Sequence, residues 1–143
     1  VIIIDEANYI SSAILNDFKL LFNFEMDSRD LAVVLLVGQP RLNTTLNQST
    51  HESLRQRIVM NYHMGGITKE EGRRYIIRKL EGAGSRQTVF DTNAVEAVLN
   101  AANGTPRMIN KICNRSLMIG ASQNQDIIHA DIVRKAVEDN QLG

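Results

Sequence analysis

A single cysteine, Cys113, is all the thiol this chain has. It cannot build an internal disulfide framework, and it fits a reducing compartment. Aromatic side chains are scarce, at 5% of residues, so no stacking platform for a single-stranded nucleic acid is offered. An excess of one charge is lacking too. Sixteen Lys and Arg cancel sixteen Asp and Glu, which removes any global field that would draw a polyanion and leaves only local patches to consider. No apolar run approaches the length of a membrane span, no secretory leader is visible, and the first residue is not Met. The expected compartment is the cytoplasm. His51, His63 and His129 are too scattered along the chain to read as a metal site, and there is no internal repeat or low-complexity segment.

What is present is enough apolar residue, 43%, for one ordinary domain or two small lobes with a real core. VIIIDEAN opens the chain. Val1, Ile2, Ile3 and Ile4 show no alternation, so they suit a strand covered on both faces, as in a parallel sheet between helices. Asp5 and Glu6 follow at its carboxyl end, where open α/β sheets place their ligand crevices. Adjacent acids there can divide labour, one holding a hydrated Mg²⁺ and the other polarising a water towards a phosphoryl group, or they can simply favour a helix N-terminus. Ile10 to Phe24 has helical spacing, with Ser11 or Ser12 as N-cap. Glu25 to Asp30 makes a loop, and LAVVLLVG, Leu31 to Gly38, is a second buried strand. This is a βαβ unit. A third, weaker strand is expected at Ile58 to Met64, after a short helix around Glu52 to Gln56, and GGIT then breaks the chain.

Beyond Thr68 the spacing predicts four helices: Lys69 to Glu81, Thr92 to Ala102, Pro106 to Ser122 and Ala130 to Asn140. Thr68, Asp91 and Thr105 stand in cap positions. Glu71 completes a capping box, and Pro106 takes a first helical position. In GTPRMIN, Arg107 projects from a helix N-terminus. A guanidinium is electrostatically out of place there unless an anion visits. Met108, Ile109, Ile112, Cys113, Leu117 and Gly120 form that helix's apolar face, which makes Cys113 core and not nucleophile. Lys111 and Arg115 read as solvated, as do Arg73, Arg74, Arg78 and Lys79, with DNA contact the lesser reading for the latter four.

With these stretches in order, the chain resembles the carboxyl-terminal part of an AAA+ ATPase. VIIIDEAN looks like its Walker B strand, LVGQPRL like the sensor-1 region, LRQRI like the arginine-finger region before the last strand, and GTPRMIN like the sensor-2 helix of the lid. The wording DEAN, GQPRL, LRQRI, YHMGGITKEE and GTPRMINKICNRSL is most similar to the ExeA/GspA-type (general secretion pathway protein A) and related TnsC-like transposition ATPases. The phosphate-cradling GxxxxGK[ST] loop does not occur in these residues, so the resemblance implies a fragment that starts at Walker B.

The implied fold is α/β: an incomplete P-loop core of three parallel strands with the P-loop strand missing, residues 1–66, followed by an all-helical lid, residues 67–143. In the intact protein the resemblance implies ATP and Mg²⁺ as ligands. Asp5 would hold Mg²⁺ through water, and Glu6 would polarise the attacking water. Gln39 would act as sensor 1, where the family more often has Asn, Thr or Ser. Arg107 would touch the γ-phosphate in cis, and Arg57, with Arg55 as competitor, would reach a neighbour's nucleotide as the finger. Hydrolysis would then act as an assembly switch in a ring or filament, while the chain by itself would be inactive. The lid ending and the lack of a membrane-spanning segment favour a transposition helper, with double-stranded DNA and a transposase as partners. The alternatives are a secretion-associated ATPase with a membrane partner, and a non-hydrolysing interaction module.

Overall fold

A computed structural model describes residues 1–21 and 32–141. The expected loop at Glu25 to Asp30, the end of the first predicted helix and Leu31 lie outside the described residues. The chain forms two compact units, Val1–Tyr62 and His63–Gly143.

In the first unit, β1 (Ile2–Ile4) pairs in parallel with β2 (Val34–Leu36), with Ile2 opposite Val34 and Ile4 opposite Leu36. A parallel pair needs a crossover, and α1 (Ser12–Leu21) lies within it. Ser11 caps this helix, its Oγ accepting from the Ile14 amide at 3.4 Å. Leu15, fully buried on α1, packs with Ala7, Leu42 and Leu46 of α2 (Arg41–Leu46) and Leu54 of α3 (Glu52–Arg55). Ile4 and Leu36 close this small core from the sheet side. His51 is wholly buried because α1 satisfies both ring nitrogens: Nδ1 lies 3.1 Å from Asn16 Oδ1 and Nε2 3.2 Å from Ser12 Oγ.

Two sequence expectations are corrected here. Among the described residues the strands are covered on one face only. Side chains alternate across a strand, so Ile4 and Leu36 face the core while Ile3, 66% exposed, and Leu35, 50% exposed, face outward with nothing over them among the described residues. The third strand does not form either. Residues 58–64 enter no ladder among the described residues, and Val59, Met60, Tyr62 and Met64 are largely exposed. A strand exists through its neighbour's hydrogen bonds, and the P-loop strand that the AAA+ order places between β2 and this segment has no counterpart in these residues.

The second unit is helical: α4 (Lys69–Gly82), α5 (Thr92–Ala102), α6 (Pro106–Ser122) and α7 (Ala130–Gln141). One isolated parallel bridge, Phe90 to Ile128, is the departure from an all-helical lid. Ile76, Val98, Leu99, Ile109, Ile112, Ile132 and Val133 form the core with Phe90 and Ile128. The capping box is present: the Glu71 amide donates to Thr68 Oγ1 at 3.2 Å and the Thr68 amide donates to Glu71 Oε2 at 2.8 Å. Thr105 occupies the N-cap of α6, but its hydroxyl makes no cap bond; Pro106 at the first position sets the turn instead. Gly120 lets α6 meet the Phe90–Ile128 bridge, because Ile128 Cδ1 occupies the space a Cβ would fill.

Asp91 joins two elements. Its Oδ1 accepts from the Ala94 amide at 2.6 Å, capping α5, and His129, just before α7, approaches Oδ2 with Nδ1 at 2.6 Å. The His129 bond first, and the Ala94 amide second, hold this carboxyl below its ordinary value of 3.8. As pH falls, the unfolded chain therefore takes up this proton before the folded one does. The stabilisation is present above about pH 4 and is lost as pH falls through the folded value. Asp91→Asn keeps a cap oxygen and removes the titration. Urea unfolding followed by circular dichroism across the acid range should show a shallower acid limb in the variant; superimposable limbs would contradict the assignment.

Candidate functional site: the crevice at the ends of the parallel strands

The crevice is made by backbone direction. Because β1 and β2 run parallel, their carboxyl ends lie side by side, and the residues that follow each strand share one edge. After β1 the chain turns at once. The Glu6 amide donates to Asp5 Oδ1 at 2.8 Å, and Glu6 sits in the left-handed region at φ 52° and ψ 34°. A non-glycine residue pays for that conformation with local strain, which is commonest where a side chain must be aimed. The Tyr9 amide bonds back to Glu6 O at 2.9 Å, closing the short 3₁₀ turn Ala7–Tyr9. Both carboxylates are left exposed.

After β2, Gly38 and Gln39 run alongside this turn. The Gln39 amide donates to Asn8 Oδ1 at 2.8 Å, and Gln39 O accepts from the Leu42 amide at 2.9 Å as α2 begins. Asp5, Glu6 and Gln39, separated by more than thirty residues in sequence, thus share one strand-end edge. Arg41 at the start of α2 stacks its guanidinium 4.3 Å from the ring centre of Tyr9, a cation–π contact across the same edge. Asn8 and this Arg41–Tyr9 pair escaped the sequence reading. Asn8 and Arg41 lie inside the quoted motifs and Tyr9 follows one directly, but only the strand register sets them opposite each other.

The two finger candidates differ in what they touch. Arg55 Nη1 donates to Asn47 O at 3.3 Å within its own unit. Arg57, in the turn after α3, is exposed and has no side-chain partner among the described residues. Arg107 lies in the helical unit, exposed in the first turn of α6. Its entry is shaped by Gly104 at φ +73°, where an added Cβ would stand 2.8 Å from Ile67 O; only glycine fits both the angle and the gap.

These features stand in known company. A profile of the AAA domain family matches residues 1–46. General secretion pathway protein A of Aeromonas hydrophila is 34% identical over 139 residues, covering 96% of this chain and 25% of that protein. Along nearly its whole length the chain is thus similar to an AAA+ protein of the general secretion pathway protein A type. Point mutants of Thermotoga maritima RuvB share the AAA+ fold with it: one superposes with a TM-score of 0.63 at 24% identity over 95% of this chain and 43% of that chain, another with 0.58 at 17% over 96% and 52%. The segment in hand spans a quarter of the length of the secretion relative it matches.

For this AAA+ segment, Mg²⁺ fits the donor set modestly. Asp5 has Oδ1 engaged by the Glu6 amide and its other oxygen without a partner among the described residues, which suits a cation that keeps most of its waters. Among the described residues no group of three or more His, Cys, Asp and Glu could hold a metal directly. His63, expected on the last strand, belongs to the segment that forms none. No helix among the described residues is long and apolar enough to cross a membrane.

The surface charges mostly read as expected. Arg115 bonds Asp139 at 2.7 Å, tying α6 to α7, and Arg73 bonds Glu70 at 3.0 Å and also Glu96 on α5. The exposed Arg115–Asp139 pair contributes little, about 0–1 kcal/mol, while Arg73 and Glu96 are half-buried. Arg74, Arg78 and Lys79 line an open depression of about 500 Å³ with Ile67, Glu71 and Tyr75, and none of the sequence-predicted site residues borders it.

Cys113 is partly buried on α6, packed against the core, and burial pushes its thiol up to about 11. It is therefore the protonated, unreactive form at neutral pH. A thiol reagent should label the native protein only as fast as the helical unit opens, and urea should release the ordinary rate. Complete labelling of the folded chain within the mixing time would contradict its place in the core.

Proposed function

We propose that the protein carrying this chain is a secretion-associated AAA+ ATPase that hydrolyses ATP where subunits meet and uses the cycle to control assembly with a secretion-system component. The observation that carries this reading is the 34% identity to general secretion pathway protein A across 96% of the chain. It favours the secretion alternative over the transposition helper, since neither double-stranded DNA nor a transposase as partner finds support in these relatives.

The residue roles follow from the chemistry each position can perform. Asp5 holds hydrated Mg²⁺, whose charge offsets that of the phosphates. Glu6 accepts a proton from the water that attacks the terminal phosphorus, as the bond to the ADP oxygen breaks. Gln39 orients that water or the terminal phosphate through its carboxamide. Arg107 adds a cation from the lid. Arg57 is the better finger than Arg55, because its guanidinium has no partner among the described residues while Arg55 is held on Asn47. The residues in hand include no nest of glycine amides for the phosphates, so tight ATP binding is assigned to the intact protein and not to residues 1–143. The proposed boundary between nucleotide-binding core and lid is 66/67.

In the intact protein, Glu6→Gln should keep ATP binding and lose most turnover. Arg57→Ala should also bind ATP and fail to hydrolyse it, by about 10³ if its finger matches others in phosphoryl transfer. Mixing the two variants should restore part of the activity, because one donates a finger and the other supplies an intact pocket. Steady-state phosphate release across mixing ratios is the measurement. Absence of rescue at every ratio would place Arg57 in cis, and normal turnover by Glu6→Gln would remove it as the base.

A further inference from the structure

The parallel ladder continues past the end of β1 by means of a side chain. Its regular rungs are the Ile2 amide to Val33 O, the Val37 amide to Ile4 O and the Ala7 amide to Val37 O, each 2.8 Å. At Ala7 the first strand has already turned into its 3₁₀ helix, so no backbone carbonyl remains to accept from the next amide along β2's tail. Asn8 Oδ1 stands in that place and accepts from the Gln39 amide at the same 2.8 Å. The orientation of the carboxamide is settled by this bond, since a backbone amide can only donate. The cost is visible on the other side of the group, where Asn8 Nδ2 is buried without a partner among the described residues.

Gly38 makes the approach possible. A Cβ there would lie 2.7 Å from Asn8 Oδ1 and 3.1 Å from Asn8 N, so any larger residue drives the two segments apart. The Gln39 backbone is then held at both its amide and its carbonyl. Its amide is held by Asn8, its carbonyl by the Leu42 amide, and Pro40 after it restricts its backbone. Asn8 itself comes two residues after Glu6, in the turn whose first amide is fixed by Asp5.

We infer that Asn8 is the positioning residue for Gln39: its carboxamide oxygen adds one rung to the ladder and locks the Gln39 backbone to the turn that carries Asp5 and Glu6. The inference rests on the proposed role of Gln39, which gives this lock its purpose. An alternative in which Asn8 merely stabilises the turn predicts no selective effect at Gln39.

Amide hydrogen exchange on ¹⁵N-labelled residues 1–143 tests the lock without any nucleotide. Asn8→Ala should speed exchange of the Gln39 amide about fivefold relative to the Ala7 and Val37 amides, the amount one such hydrogen bond supplies. Gly38→Ala should do the same from the opposite side, and combining the two should add little, because both remove one contact. Asn8→Asp keeps an acceptor and should keep the protection. Unchanged Gln39 exchange in both single variants would overturn the inference. In the intact ATPase, Asn8→Ala should lower kcat and leave KM for ATP near its starting value. Faster Gln39 exchange with undiminished kcat would uphold the lock and overturn the role given to Gln39.

Discussion

A parallel ladder three residues long, Ile2–Ile4 against Val34–Leu36, is the constraint on which the candidate site depends. It fixes which residue follows which at the strand ends. A slip of one position would carry Ile4 and Leu36 from the small core to the open face, and would move Gln39 away from Asn8. The core beneath therefore sets the register of the chemistry above it. Leu15, Leu42, Leu46 and Leu54 make the inner face of the ladder the buried one, and α1 is held to the segment before α3 by the two bonds of His51.

The helical unit uses a different economy. Its four helices are started by local devices, such as the Thr68–Glu71 box and the Asp91 cap, and are then locked by a shared apolar core. The turn into α6 is shaped by close backbone contact: Gly104 lies against Gly66 and Ile67, and the Ile67 amide bonds Gly104 O at 2.9 Å. That contact delivers Arg107 to an exposed helix start, where positive peptide ends already favour an anion.

Exposure is the common property of the residues proposed for catalysis. Asp5, Glu6, Gln39, Arg57 and Arg107 are all exposed, while the outer face of the β1–β2 pair and residues 59–62 carry large apolar side chains to the surface. Large exposed apolar surfaces on soluble proteins commonly mark interaction sites. The arrangement accords with an active site completed by other elements of the whole protein and by a neighbouring subunit, as proposed for a relative of general secretion pathway protein A.

The sequence by itself determined the features that depend on nearby residues. α5 and α6 begin and end at the predicted residues because caps, Pro106 and the apolar spacing act within a few positions. The DEAN and GTPR motifs were legible for the same reason, as was the place of Cys113 on a packed helix face. Tertiary structure alone decided what depends on distant partners. Unbroken aliphatic runs predicted strands covered on both faces, yet coverage is supplied by other elements, and Ile3 and Leu35 found none among the described residues. Residues 58–64 have the composition of a strand and no neighbour to make them one. Asn8 reads as the last letter of a motif until the parallel register brings Gln39 within 2.8 Å of it, because a hydrogen bond across thirty-one positions is specified by the fold and by nothing local.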